Sequence, residues 1–86
     1  MKNIEIYTTM FCPFCARAKS LLKSKGVQFE EIDVTMDAPR RQEMMKRADG
    51  AHTVPQIFVD GEHIGDCDFI HHLDAAGNLD QILGKA

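Results

Sequence analysis

Two cysteines separated by two residues, in Cys12-Pro13-Phe14-Cys15, follow almost directly on a short apolar run, Ile4-Glu5-Ile6-Tyr7-Thr8. If the run is a strand and the motif opens a helix, the pair is suited to disulfide exchange. The thiolate is the nucleophile in that reaction, and a helix N-terminus offers unpaired N–H groups and a partial positive charge to an anion. Pro13 suits the first helical position, where its missing N–H would have been unpaired anyway. Cys12 is then the exposed attacker, and Cys15, one turn on, can close a disulfide with it. A zinc half-site is the competing reading. Tetrahedral zinc needs four ligands, whereas Cys67 has no neighbouring cysteine and His71 and His72, adjacent on a helix, point apart. The five methionines read as core filler, Tyr7 as packing and His52 as an exposed loop residue.

The elements that must hold this motif follow from periodicity. Ile4–Thr8 alternates as a central strand does. A helix is expected from Pro13 to Lys25, with Phe14, Ala18, Leu21 and Leu22 on one face and Gly26 as its stop. Residues 27–34 read as a second strand, parallel to the first through a right-handed crossover. Asp37 caps a second helix with Pro39 in its first turn and a stop at Gly50. Residues 53–59 and 62–65 flank Asp60-Gly61, the two-residue hairpin signal. A third helix, Cys67–Ala76, is capped by Asp66, and a short last helix covers Leu79–Leu83. The order βαβαββα describes an α/β protein with a four-stranded mixed sheet flanked by helices, plus a short extra C-terminal helix.

Two further places carry chemistry. In Thr53-Val54-Pro55-Gln56, proline sits at a strand start, where it forfeits a ladder donor. The bond before it is either an ordinary trans one or a cis one, and cis bonds are essentially a proline feature. In Gly65-Asp66-Cys67-Asp68 a strand ends and a helix begins. Free N–H groups there suit a carboxylate and Asp68 can accept from an ammonium, yet a plain helix cap by Asp66 explains the same residues. Cys67 reads as a small buried hydrophobe.

Taken in order and spacing, Cys12-Pro13-Phe14-Cys15, Thr53-Val54-Pro55-Gln56-Ile57-Phe58 and Gly65-Asp66-Cys67-Asp68 resemble the glutaredoxin family, specifically its small dithiol bacterial members. The resemblance spans essentially the whole chain and implies a thioredoxin-like (glutaredoxin) fold over one domain, 1–86. It implies a glutathione-dependent thiol–disulfide oxidoreductase that maintains cell redox homeostasis, with Cys12 and Cys15 as the catalytic pair and redox-active disulfide. Glutathione is then the co-substrate, held by Phe14, Thr53, Val54, Pro55, Cys67 and Asp68, and no metal is expected. The Val54–Pro55 bond is implied to be cis, leaving the Val54 backbone to pair with the tripeptide by strand addition. Implied partners are glutathionylated or disulfide-bonded proteins, ribonucleotide reductase among the candidates, and NADPH indirectly through glutathione reductase.

Four positions depart from the family pattern. Asp66 replaces the second glycine of a Gly-Gly pair and Phe69 a second aspartate. Thr9 stands where many members have a lysine that pairs with the glycine carboxylate, a task open here to Arg40, Arg41 or Lys46. Phe14 replaces the commoner tyrosine. These departures motivate an alternative, a dithiol reductase supplied by a flavin-dependent thioredoxin reductase. A second alternative is a carrier of a glutathione-ligated iron–sulfur cluster, against which Pro13 and a second active-site cysteine argue.

Bulk properties narrow the classes. The 86 residues are 44 % apolar with net charge −3, enough for one domain that buries a little over ~60 % of its unfolded surface. No run approaches membrane-spanning length, and the first strand begins too early to leave room for a leader, so a reducing, cytoplasmic setting is expected. Three cysteines do not make a disulfide scaffold. Residues 1–47 hold nine Lys/Arg against six Asp/Glu, and residues 48–86 one against seven. The balance leaves no basic footprint for nucleic acid. No long apolar surface pattern requires covering, and a monomer is expected.

Overall fold

In the computed structural model, which describes residues 2–85, eight elements follow one another: β1 (Ile4–Thr8), α1 (Pro13–Ser24), β2 (Glu30–Asp33), α2 (Ala38–Arg47), β3 (Gln56–Val59), β4 (Glu62–Gly65), α3 (Cys67–Ala75) and α4 (Leu79–Ile82). The strands form one sheet in the order β2-β1-β3-β4. β1 pairs parallel with β2, Glu5 opposite Glu30 through Thr8 opposite Asp33, and antiparallel with β3, Ile4 opposite Val59. β3 and β4 form the antiparallel hairpin. Its turn residues Asp60 and Gly61 both have positive φ, 52° and 82°, the backbone of a type I′ turn whose twist matches the strands.

Alternation along β1 builds two cores. Ile4 and Ile6 face Ala18, Leu22, Ile57, Cys67, Ile70 and Leu79 under α1, α3 and α4. Tyr7 faces the opposite side with Ile32, Val34, Met44, Ala48 and Phe58, roofed by α2. There the Arg47 guanidinium lies 4.2 Å from the Phe58 ring centroid, pairs with both Glu5 oxygens at 2.8 and 3.3 Å and donates to the Tyr7 hydroxyl at 2.7 Å. That hydroxyl donates in turn to Glu43 at 3.0 Å. Tyr7 is a packing residue with a satisfied polar tip.

Two strands are shorter than the sequence pattern suggests. β2 spans four residues rather than eight, because it is an edge strand whose only neighbour, β1, offers it partners from Glu5 to Thr8. β3 starts at Gln56 rather than Thr53, since Pro55 has no N–H to give the ladder. α1, α3 and α4 each end one residue earlier than expected, a difference of the size that fraying produces.

Candidate functional site

The site is assembled where β1, the β3 approach and β4 each hand the chain to a turn or helix at one end of the sheet. α1 opens with Cys12 as its N-cap: the backbone N–H of Cys15 donates to the Cys12 sulfur at 3.1 Å. Pro13 occupies the first turn as expected. The Cys12 thiol is directed at the Val54 carbonyl, 3.9 Å away. Cys12 is partly exposed, Cys15 is 2 % exposed, and both are free thiols. Burial, reinforced by a hydrogen bond to Cys12, pushes the Cys15 thiol up to about 12, although a backbone hydrogen bond at Thr9 and the Lys19 charge pull the other way. The two cysteines thus differ in kind. Cys12 can be reached from solvent, and Cys15 is a protonated reserve at neutral pH.

On one side of Cys12 lies a pocket of about 250 Å³ lined by Phe14, Thr53, Val54, Pro55, Asp66, Cys67 and Asp68. It brings together all six residues assigned to ligand binding from the sequence. The Val54–Pro55 bond is cis. The Val54 N–H has no protein partner among the described residues, while Gln56 Nε2 ties down the Thr53 carbonyl at 3.0 Å. Across the pocket, Asp66 caps α3 by accepting the Phe69 N–H at 2.9 Å. The N–H groups of Cys67 and Asp68 are left without protein acceptors among the described residues, and they lie at the positive end of the helix. The cap therefore leaves two N–H donors open. Asp66 itself is one of the residues lining the pocket. Gly65 permits the turn: its φ is 130°, and a Cβ there would meet the Phe69 ring at 2.7 Å. The Cys67 side chain belongs to the core, and burial raises its thiol from the ordinary value.

The basic side chains near the site hold different positions. Arg40 pairs with Asp37 at 3.8 Å and Arg41 donates to the His52 carbonyl at 2.9 Å. Neither of these, nor Lys46, lines the pocket. Arg17 lies over the Phe14 ring, 5.9 Å from its centroid. Lys19 lines a second groove on the far side of Cys12 with Cys15, Glu31 and Asp33. It pairs with Glu31 at 2.9 Å, and Glu31 also accepts the buried Thr8 hydroxyl at 2.8 Å. The one usable signal in the sequence was spacing: Lys19 follows Cys15 by four residues, one turn along the same helix face. No cluster of three His, Cys, Asp or Glu side chains able to hold a metal ion occurs among the described residues.

Comparison with known proteins decides the family. The glutaredoxin family model matches residues 4–64. The chain belongs to the glutaredoxin family. It is 55 % identical over 83 residues to glutaredoxin 3 of Escherichia coli K12, an alignment covering 96 % of this chain and 99 % of the relative. The solution structure of a glutaredoxin from Brucella melitensis is similar at a TM-score of 0.82 and 44 % identity, covering 98 % of this chain and 92 % of that one. A buckwheat glutaredoxin–glutathione complex shares the fold at a TM-score of 0.86 and 24 % identity, covering 96 % and 77 %. This glutaredoxin fold is the thioredoxin-like one the motifs implied, and the chain is a small dithiol thiol–disulfide oxidoreductase. Among the described residues no helix is long and apolar enough to cross a membrane.

Proposed function

We propose that this glutaredoxin takes its electrons from glutathione and reduces two kinds of substrate. With protein–glutathione mixed disulfides, the Cys12 thiolate attacks the glutathione sulfur and the protein thiolate leaves and takes up a proton. A second glutathione then attacks the Cys12 adduct, releasing oxidised glutathione and restoring Cys12. With protein disulfides, Cys12 attacks one sulfur, Cys15 loses its proton and displaces the bound protein from Cys12, and two glutathione molecules reduce the resulting Cys12–Cys15 disulfide. NADPH and glutathione reductase recycle the oxidised glutathione. Glutaredoxin potentials of about −200 to −230 mV lie near the glutathione poise, so the chemistry runs in either direction.

The observation that carries this reading is the 250 Å³ pocket beside Cys12. Its fittings match a γ-glutamyl tripeptide: the free N–H groups of Cys67 and Asp68 for the γ-glutamyl carboxylate, the Asp68 carboxylate for its ammonium, the Val54 backbone for strand pairing and the Phe14 ring for contact. The buckwheat complex makes glutathione the first ligand to test on this fold. The reading places the protein in the cytoplasm as a monomeric single domain, with glutathionylated proteins and disulfide-bonded enzymes such as ribonucleotide reductase as partners.

The test is turnover of a glutathionylated peptide coupled to glutathione, glutathione reductase and NADPH, for wild type, Cys12→Ser and Cys15→Ser. Activity in Cys15→Ser with none in Cys12→Ser is the expected result. Asp66 in the pocket wall favours one competitor, supply by thioredoxin reductase. Failure of the wild type with glutathione, together with NADPH-dependent turnover through thioredoxin reductase, would replace this reading with that one.

A further inference from the structure

Beyond the glutathione pocket, the far side of Cys12 has features that the fold does not require. Phe11 is 96 % exposed and sits at φ 57°, a left-handed backbone that bulky side chains rarely adopt. Met10 is 57 % and Met36 95 % exposed, and the Met10 N–H donates to Thr35 Oγ1 at 2.7 Å, which ties the two loops together. An exposed apolar patch of this kind marks a binding surface more often than a random surface does. Met10 and Phe11 border the second groove, about 490 Å³, which begins at Cys12 and is floored by Lys19, Glu31 and Asp33. Lys19 is neutralised by Glu31 at 2.9 Å. The Asp33 carboxylate accepts the Thr35 N–H at 2.8 Å and has no cation within pairing distance among the described residues. The groove is therefore apolar at its rim and carries one uncompensated negative charge.

We infer that this groove docks the chain of a disulfide-bonded protein substrate, one with an apolar residue next to its reactive cysteine and a lysine or arginine within a few residues. The inference rests on the proposed assignment of glutathione to the opposite pocket. Glutathione is short and is accommodated on the Val54 side alone, whereas a protein chain attached at Cys12 must continue past it. The charge selects the occupant: a basic segment complements Asp33 and an acidic one is repelled. Phe11 gives the contact its apolar area, and its removal relieves a left-handed phenylalanine instead of opening a core.

The experiment compares kcat/KM for reduction of peptides with an intramolecular disulfide flanked by Phe-Lys, Phe-Glu or Ser-Lys. The mixed disulfide of glutathione with cysteamine is the control substrate. For wild type, Phe-Lys is expected to exceed Phe-Glu about threefold at low salt, the size of an exposed charge pair, with the preference shrinking as salt is added. Asp33→Asn, whose amide oxygen can still accept the Thr35 N–H, abolishes that preference. Phe11→Asn, which tolerates left-handed backbone, lowers kcat/KM for Phe-Lys about tenfold, from lost apolar burial, leaves the cysteamine substrate unchanged and melts no lower than wild type. Equal loss on both substrates, or no loss on the peptides, would overturn the inference. The peptide series is repeated with dithiothreitol as reductant, so that failure of glutathione as electron donor is read separately from failure of the groove.

Discussion

Two helix N-termini converge on the glutathione-sized pocket and are capped in different ways. At α1 the cap atom is the Cys12 sulfur, which holds the Cys15 N–H. At α3 it is the Asp66 carboxylate, which holds the Phe69 N–H. In both cases one side chain satisfies one orphan donor and leaves others for a ligand. The difference lies in what the cap can do next. A carboxylate takes no part in thiol–disulfide exchange, so α3 can only receive, whereas a cysteine sulfur can form a bond, so α1 aims a reagent. The comparison also accounts for Asp66 in the fold: aspartate is a strong N-cap residue, and here it caps α3.

The largest effect expected from this comparison comes from exchanging the α1 cap atom. Serine is a better N-cap than cysteine, so Cys12→Ser should fold with thermal stability at or above wild type and show no turnover above background. Cys12→Ala removes the chemistry and the cap together, and should also lose about 1 kcal/mol of stability by denaturant titration. Wild-type stability in Cys12→Ala would show that the sulfur does not act as a cap.

The second prediction concerns the residue beneath that cap. With its thiol pushed from 9.0 to about 12, Cys15 in the folded protein should react with iodoacetamide roughly a thousandfold more slowly at neutral pH than an unperturbed thiol, since the thiolate is the reacting form. The sign for stability follows from linkage. A thiol whose folded pKa lies above its unfolded value keeps more protons in the native state, so its contribution is fully present below pH 9 and is lost as pH rises toward 12. Cys15→Ala should flatten that alkaline limb in equilibrium unfolding. An unchanged limb would mean that other groups set it.

How far all this was legible in the sequence depends on the range of the interaction. The Asp60-Gly61 turn, the Asp37 and Asp66 caps and the Cys12-to-Cys15 turn are local, and each is decided by the residues that form it. The pocket was legible through its three motifs, because each marks a strand end or helix start that the sheet places side by side. Lys19 beside Cys15 is local too, an i,i+4 spacing on α1, but its pairing with Glu31 and the Arg47 stack on Phe58 depend on which strands become neighbours. No local pattern encodes that. Arg41 bonding the His52 carbonyl beside the Thr53 turn is equally a matter of which elements become neighbours.

A smaller effect separates the two roles of Asp66. Glycine is nearly as good an N-cap as aspartate, whereas alanine is not. Asp66→Gly should therefore keep stability within a few tenths of a kcal/mol and lower KM for glutathione about two- to fivefold, by removing a like charge from a half-exposed carboxylate site. Asp66→Ala should give the same KM and lose about 1 kcal/mol. A KM unchanged in both variants would place the glutathione carboxylates away from α3.

The smallest effect belongs to Lys19, and it bears on whether α1 supports its second cysteine as well as its first. The Lys19–Glu31 pair is exposed enough that its loss should cost no more than about 0.5–1 kcal/mol. Lys19→Met also removes the one positive charge that counters burial at Cys15 and leaves the Glu31 carboxylate, held below the usual range chiefly by the Lys19 hydrogen bond, to rise. Ionising Cys15 then becomes harder. Reduction of protein disulfides, which needs the Cys15 thiolate, should slow severalfold, while the glutathionylated substrate, which needs only Cys12, keeps its rate. A parallel fall on both substrates would assign Lys19 to Cys12 instead, and the division of labour within the α1 cap would have to be redrawn.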